Sequence, residues 1–280
     1  MIQKTRLMID SHVHIYDCYD LESFFQNAIT NLDYFNNNKN NTDGSVSNIP
    51  YARVLLLTEG KSNDFFSQWR AEGTFPNQSG FRFVGTKEET SLVLTQNGVP
   101  QCYILRGRQI VTQESLEVLS VCSSQNILDG LPTATVINRL IEKEEPAVLA
   151  WGFGKWLFKR ARVVQRLIET YRTPYLFLGD NSGRPTFWSF PRLFKQAQTL
   201  HIPLLSGSDP LPFPAEITKV GTFGFTIEGD FDEYLPAASI RRLLVAPDIS
   251  TRIHCFGIRD NITSFFTRQS KIYIKKYLKK

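Results

Sequence analysis

The sequence predicts an α/β protein: a distorted TIM-like (β/α) barrel with a central antiparallel hairpin excursion and C-terminal helices. Three observations carry that prediction. From Thr133 onward, helix and strand patterns alternate regularly, which signals parallel strands joined by crossover helices. Val54-Leu55-Leu56-Leu57 is an unbroken apolar run, as expected of a strand covered on both faces. Polar groups suited to chemistry follow several strand C-termini, the end of a barrel where active sites form.

Composition sets the frame. The chain has 280 residues, of which 42% are apolar and 21% charged, a soluble globular balance that excludes a disordered chain. Twenty-one Phe, ten Tyr and four Trp can fill one large core, and no linker divides the chain, so a single domain over 1–280 is expected. Cys18, Cys102, Cys122 and Cys255 are scattered without Cys-x-x-Cys spacing, which argues against a disulfide framework or a cysteine zinc site. No apolar run has transmembrane length, and Met-Ile-Gln-Lys-Thr-Arg leads into the first strand without a signal-peptide core. A cytoplasmic location without membrane partners is the expectation.

The net charge of +5 is concentrated at one end. Lys271 to Lys280 contributes five positive charges and no negative ones. Such a segment can grip nucleic acid, or it can be the solvated end of a terminal helix, where lysines favour the helix dipole. The second reading is preferred, so nucleic acid is not an expected partner.

In chain order, a strand from Arg6 to Ile15 precedes a helix from Leu21 to Tyr34. Residues 36–50, rich in Asn, read as a mobile polar loop. A strand at Ala52 to Thr58 and a short helix at Phe65 to Ala71 follow. Ser91–Thr95 and Cys102–Leu105 flank Asn97-Gly98, the signature of a hairpin turn. Strands are expected at Gln109–Thr112 and Leu116–Cys122. Thr133 caps a helix from Ala134 to Glu145, then strands at Ala147–Trp151, Tyr175–Leu178 and Ile202–Leu205 alternate with helices at Lys159–Tyr171 and Pro191–Leu200. Residues 230–280 read as a helical part packed outside the barrel.

The most informative segment is Met8-Ile9-Asp10-Ser11-His12-Val13-His14. On a strand, side chains alternate faces, so His12 and His14 point the same way and can share a metal ion. The alternative is a pair of polar residues on a half-exposed strand. Asp209 follows Leu204-Leu205-Ser206-Gly207-Ser208 at another strand end. In a closed barrel the first and last strands are neighbours, so Asp209 can meet the two imidazoles, or it can simply cap a helix before Pro210.

These motifs resemble the metal-dependent hydrolases with distorted α/β barrels, above all the polymerase-and-histidinol-phosphatase (PHP) superfamily, and more distantly the amidohydrolases. Their Asp-x-His-x-His strand is matched by Asp10, His12 and His14, and their Gly-Ser-Asp-Ala-His turn in part by Gly207-Ser208-Asp209. Gly107 to Thr112, Leu116 to Leu119 and Val148 to Gly152 are similar to the strands between. The departures are specific: Gln109 stands where the family has a bridging glutamate, and Glu117, Trp151 and Leu211 stand where it has histidines.

The resemblance implies a hydrolase of a small anionic substrate, a phosphate ester or an amide, with a reduced metal site. One divalent ion (Zn, Mn or Fe) is expected on His12, His14 and Asp209, with Glu117 as a fourth ligand. Asp209 and Lys155 are the candidate catalytic residues. Arg184 and Trp151 are candidates for holding substrate, through a guanidinium fork and an aromatic wall. Lys155 can equally open a helix, and Asp180 to Arg184 can be an ordinary turn. The alternative function is a barrel that has lost catalysis and binds a ligand or a protein.

Overall fold

The computed structural model describes residues 2–42, 49–75 and 80–278. The chain first lays down five strands of one sheet: β1 (Ile2–Val13), β2 (Tyr51–Leu57), β3 (Phe81–Gly85), β4 (Ser91–Gln96) and β5 (Val99–Leu105). It then builds a second sheet from β6 (Gly107–Val111), β7 (Glu117–Val121), β8 (Ala147–Ala150), β9 (Leu176–Asn181) and β10 (Leu204–Gly207). Finally it returns to the first sheet with β11 (Phe223–Asp232) and β12 (His254–Gly257). The spatial orders are β12-β11-β1-β2-β5-β4-β3 and β10-β9-β8-β7-β6.

Strand alternation explains the layering. Leu7, Ile9, Val54 and Leu56 face a core shared with Leu119, Val148, Phe177 and Leu205 of the second sheet. Their neighbours Met8, Leu55 and Leu57 face the opposite way, against α1 (Leu21–Thr42) and α2 (Phe65–Glu72). Each strand is therefore buried on both faces, which is why β2 reads as continuous apolar sequence. A third core lies between the second sheet and α3 (Thr133–Ile141), α4 (Phe158–Thr170) and α5 (Arg192–Thr199). Three further helices, α6 (Pro236–Leu244), α7 (Ile249–Arg252) and α8 (Ile262–Leu278), complete the chain.

The expected TIM-like barrel does not form. Both hydrogen-bonding edges of β1 are occupied, one by β2 in parallel and the other by β11 in antiparallel register from Ile2↔Asp232 to Ile9↔Phe225. Over Arg6–Ile9 neither edge of β1 is open to β10, and the two sheets stay open and separate. They meet at two places instead. Glu59, just after β2, bridges in parallel to Arg108 of β6, and beyond Ile9 the end of β1 leaves β11 and turns to β10. At that second junction the Asp209 N–H donates to the His12 carbonyl at 2.8 Å.

Other elements shift in detail. α1 runs to Thr42, so the expected loop over 36–50 is helical in its first part, while 43–48 lie outside the described residues. The region from 230 onward contains β12 and the end of β11 as well as helices. Thr133 is the first residue of α3 rather than its cap, and both its N–H and hydroxyl donate to Glu114. The Asn97-Gly98 turn forms with both residues at positive φ, 51° and 81°, joining β4 to β5.

Candidate metal centre

Local backbone geometry aims the first two side chains. His12 lies at the end of β1 and His14 just beyond it, and their Nε2 atoms are 3.0 Å apart. Asp209 comes from the loop after β10, with Oδ1 3.6 Å from each of these nitrogens. A tetrahedral ion with bonds of about 2.0–2.2 Å spaces its ligand atoms about 3.3–3.6 Å apart. Both imidazole-to-carboxylate separations fall in that range and the two imidazole nitrogens sit slightly closer, so the triangle accommodates a single divalent ion once the rings part a little. Gln109 of β6 brings its Oε1 to 3.2 Å from His12 Nε2, adding an amide oxygen on the same side.

The turn that carries Asp209 is held from several directions. Asp209 has φ +49°, a left-handed conformation unusual for a residue other than glycine. Its N–H is fixed by His12, its carbonyl accepts from Arg268 Nη2 at 2.8 Å, and its Oδ2 accepts from Asn181 Nδ2 at 2.9 Å. Gly207 allows the close approach, since a Cβ there would lie 2.3 Å from the His12 nitrogen.

Asp10, the acid of the opening motif, does something else. It is fully buried and accepts from the Ser208 N–H and hydroxyl, the Gly221 N–H and the His12 N–H. It fastens β1 to the Asp209 turn rather than joining the ligand set. Burial pushes its carboxyl up to about 6, against the opposing pull of these hydrogen bonds.

Electrostatics favours the ligand forms of His14 and Asp209. Burial, reinforced by the neighbouring His12, lowers the His14 imidazole to about 4 and keeps it neutral. Burial works to raise the Asp209 carboxyl, but His12, His14, Arg268 and Lys155 together hold it below the usual carboxylate range. Tyr16, whose ring centroid is 5.7 Å from that of His14, is pushed well above the ordinary phenol range by burial and by Asp209 and Glu117.

The remaining sequence candidates divide. Lys155 reaches the site, but its ammonium is bonded to Glu117 Oε1. Glu117 is the ion-pair partner of Lys155 in this structure, and among the described residues the cluster close enough to share an ion is His12, His14 and Asp209. Trp151 lies in the wall of the adjoining cavity, almost wholly buried, and its carbonyl accepts from Asn181. Arg184 is not at the site. Its guanidinium forms a bidentate pair with Asp180 at 2.7 and 2.6 Å and donates to the Trp188 and Ser189 carbonyls, so it braces a loop.

The cavity beside the triad has a volume of about 420 Å³ and is lined by Asp209, Asn181, Glu117 and Lys155 near the ion site. Sequence reasoning missed Asn181, Arg268, Phe213 and Lys275, which also line it. Asn181 sat within a motif explained by turn chemistry, and Arg268 and Lys275 sat in a helix whose only evident signal was charge.

The chain shares its fold with PsfC. The structure of PsfC from Pseudomonas syringae PB-5123 aligns over 97% of this chain and 99% of that one, with TM-score 0.56 and 16% identity. Endonuclease Q, in complex with a 27-mer duplex bearing an abasic lesion, aligns over 87% of this chain and 56% of that chain, with TM-score 0.43 and 14% identity. The lesion-specific endonuclease PfuEndoQ from Pyrococcus furiosus gives 88% and 56%, TM-score 0.39 and 13% identity. The two endonuclease likenesses are too slight to carry an argument, and the expected absence of a nucleic-acid partner finds no support in the comparisons. No protein-family model and no curated protein matches the chain. Among the described residues no helix is long and apolar enough to cross a membrane.

Proposed function

We propose that His12, His14 and Asp209 bind one divalent metal ion and that the protein is a metal-dependent hydrolase of a small anionic substrate, a phosphate ester or an amide. The observation that carries this reading is the meeting of the three ligand atoms at 3.0, 3.6 and 3.6 Å beside a cavity of substrate size. The Asp-x-His-x-His strand supports placing the chain as a divergent member of the PHP and amidohydrolase-like group, with Zn, Mn or Fe as the ion.

When bound, such an ion supplies Lewis acidity and lowers the pKa of a coordinated water. The chain's own groups do the rest. Asn181 orients Asp209 through Oδ2, leaving Oδ1 turned toward the two imidazoles, and the carboxylate is a proton acceptor at the cavity edge. Lys155, which lines the same cavity as Asp209, steadies negative charge on the substrate once it parts from Glu117.

One observation favours a second reading. Glu117 and Lys155 satisfy each other, which suits a site that holds an ion and a ligand without turning the ligand over. Metal analysis of the purified protein, paired with hydrolysis assays on generic phosphate esters and amides, separates the cases. The proposal expects about one ion per chain and turnover, both lost in His12→Ala. Bound metal and ligand without turnover would select the binding module, and a metal-free protein indifferent to His12→Ala would overturn both.

A further inference from the structure

We infer that the ligand of this site is an anion carried on an aromatic or comparably bulky apolar body, an inference that rests on the metal-site reading above and specifies its substrate class. The cavity is not lined as a simple anion site. Away from the triad its walls are Trp151, Phe153, Leu211, Phe213 and Ile272. A volume of about 420 Å³ falls within the range of small-molecule sites and far exceeds what a bare phosphate or carboxylate fills.

Two of these wall residues face water. Phe153 is 47% exposed and Ile272 39%, although leaving large apolar area in contact with water is unfavourable. Phe153 is nonetheless held in place, its ring edge-on to Phe265 at 4.9 Å and to Trp188 at 6.3 Å. A fixed aromatic rim of this kind stacks or edges against a ligand ring at little entropic cost.

The charge at the same rim selects the sign of the ligand. Lys271 and Lys275, one helical turn apart on α8, both lie over the Phe213 ring, at 5.9 and 5.3 Å. Like charges at this spacing repel. Lys275 also donates to the Pro212 carbonyl, and no carboxylate pairs with either lysine in the ion pairs among the described residues. With Lys155 also in the cavity lining, an anionic group meets positive charge from both sources while the attached ring meets Phe153, Phe213 and Ile272.

The test is calorimetric titration of the protein, with and without added Zn²⁺ or Mn²⁺, by inorganic phosphate, phenylphosphonate, 1-naphthylphosphonate, 1-naphthoate and neutral 1-naphthol. Affinity is expected to rise at least tenfold from phosphate to phenylphosphonate and again to the naphthyl compound, with 1-naphthol at least tenfold weaker than either naphthyl anion. The two naphthyl anions distinguish a phosphonate-type head from a carboxylate. Phe153→Ala and Ile272→Ser, both at exposed positions, are expected to remove most of the ring increment while leaving phosphate binding unchanged, and Lys275→Gln to weaken every anion. Equal affinity for phosphate and the aryl anions, or a ring increment that survives both rim substitutions, overturns the inference. Metal binding without ring preference refutes this inference alone; ring preference in a protein that binds no metal refutes the metal centre alone.

Discussion

Arg268 Nη2 donates to the Asp209 carbonyl at 2.8 Å, tying the C-terminal helix to the backbone of a candidate metal ligand. The same guanidinium is paired with Glu216 at 3.1 Å and with Asp260 at 3.1 Å, and Asp260 is also held by Lys219. Arg268→Met would leave buried Glu216 without its ion-pair partner, leave Asp260 to Lys219 alone and release a residue held at positive φ. The expected loss of stability is about 3–5 kcal/mol in urea titrations, with weaker metal binding in whatever fraction remains folded. Arg268→Lys, which cannot serve three partners at once, should fall between.

Gly207→Ala is expected to disturb the site without touching any ligand. The new methyl would lie 2.3 Å from the His12 nitrogen and 2.5 Å from its Cβ, so the ends of β1 and β10 must part. A cost of about 2–4 kcal/mol is expected, together with at least a tenfold loss of metal affinity, read by denaturation and by metal titration.

Chelation gives an independent check on the ligand set. An ion that binds only the folded chain stabilises it by about 2.7 kcal/mol when present at a hundred times its dissociation constant. Adding chelator should therefore lower the melting temperature of the parent protein, and His12→Ala or Asp209→Ala should erase that difference. A chelator effect that persists in both variants would place the ion elsewhere.

Glu59 predicts a pH dependence of folding. It is buried after β2, and burial pushes its carboxyl up to about 7, against the opposing hydrogen bonds from the Phe66 and Phe65 N–H groups. A folded-state pKa above the unfolded value of 4.5 means that the folded form binds the proton more tightly. Its stabilising contribution is thus complete below about pH 4.5 and is lost as pH rises through about 7. Glu59→Gln keeps the acceptor and removes the titration, so the stability of the variant relative to the parent should improve by roughly 1–3 kcal/mol between pH 4.5 and 7.5. A constant difference across that range would refute the assignment.

Arg184 and Lys155 should behave oppositely. Arg184→Leu leaves Asp180 buried without its partner and should cost about 3–5 kcal/mol of stability, with metal stoichiometry intact in the folded protein. Lys155→Met, at a partly exposed pair, should change stability by under about 1 kcal/mol and act on ligand affinity or turnover instead.

The candidate site was more legible in the sequence than the architecture around it. His12 and His14 could be paired from strand alternation, a local signal, whereas Asp209 was joined to them through the expectation of a closed barrel and meets them instead where the end of β1 turns to β10. The closed barrel failed through β11. Phe223, Phe225 and Ile227 do alternate, but Gly224 and Gly229 interrupt the segment and mask it as a strand. Gly224 is there because the chain passes so close to Ile9 that a Cβ would lie 2.2 Å from the Ile9 carbonyl oxygen, a tertiary fact with no local signature. Arg184 was misplaced for a related reason: its partner Asp180 decides where the charge points, and sequence spacing shows neither that pair nor the pairing of Lys155 with Glu117.

His12 ends β1 of one sheet with His14 just beyond it, Asp209 follows β10 of the other, and no strand ladder joins the sheets where these residues meet. The ligand triangle therefore straddles a seam that is stitched by a few hydrogen bonds around Asp10 and Gly207. Sliding the sheets against each other by an ångström or two would dismantle the triangle while sparing the outer layers that each sheet forms with its own helices. An ion seated there would act as a rivet between two halves that otherwise adhere mainly through grease.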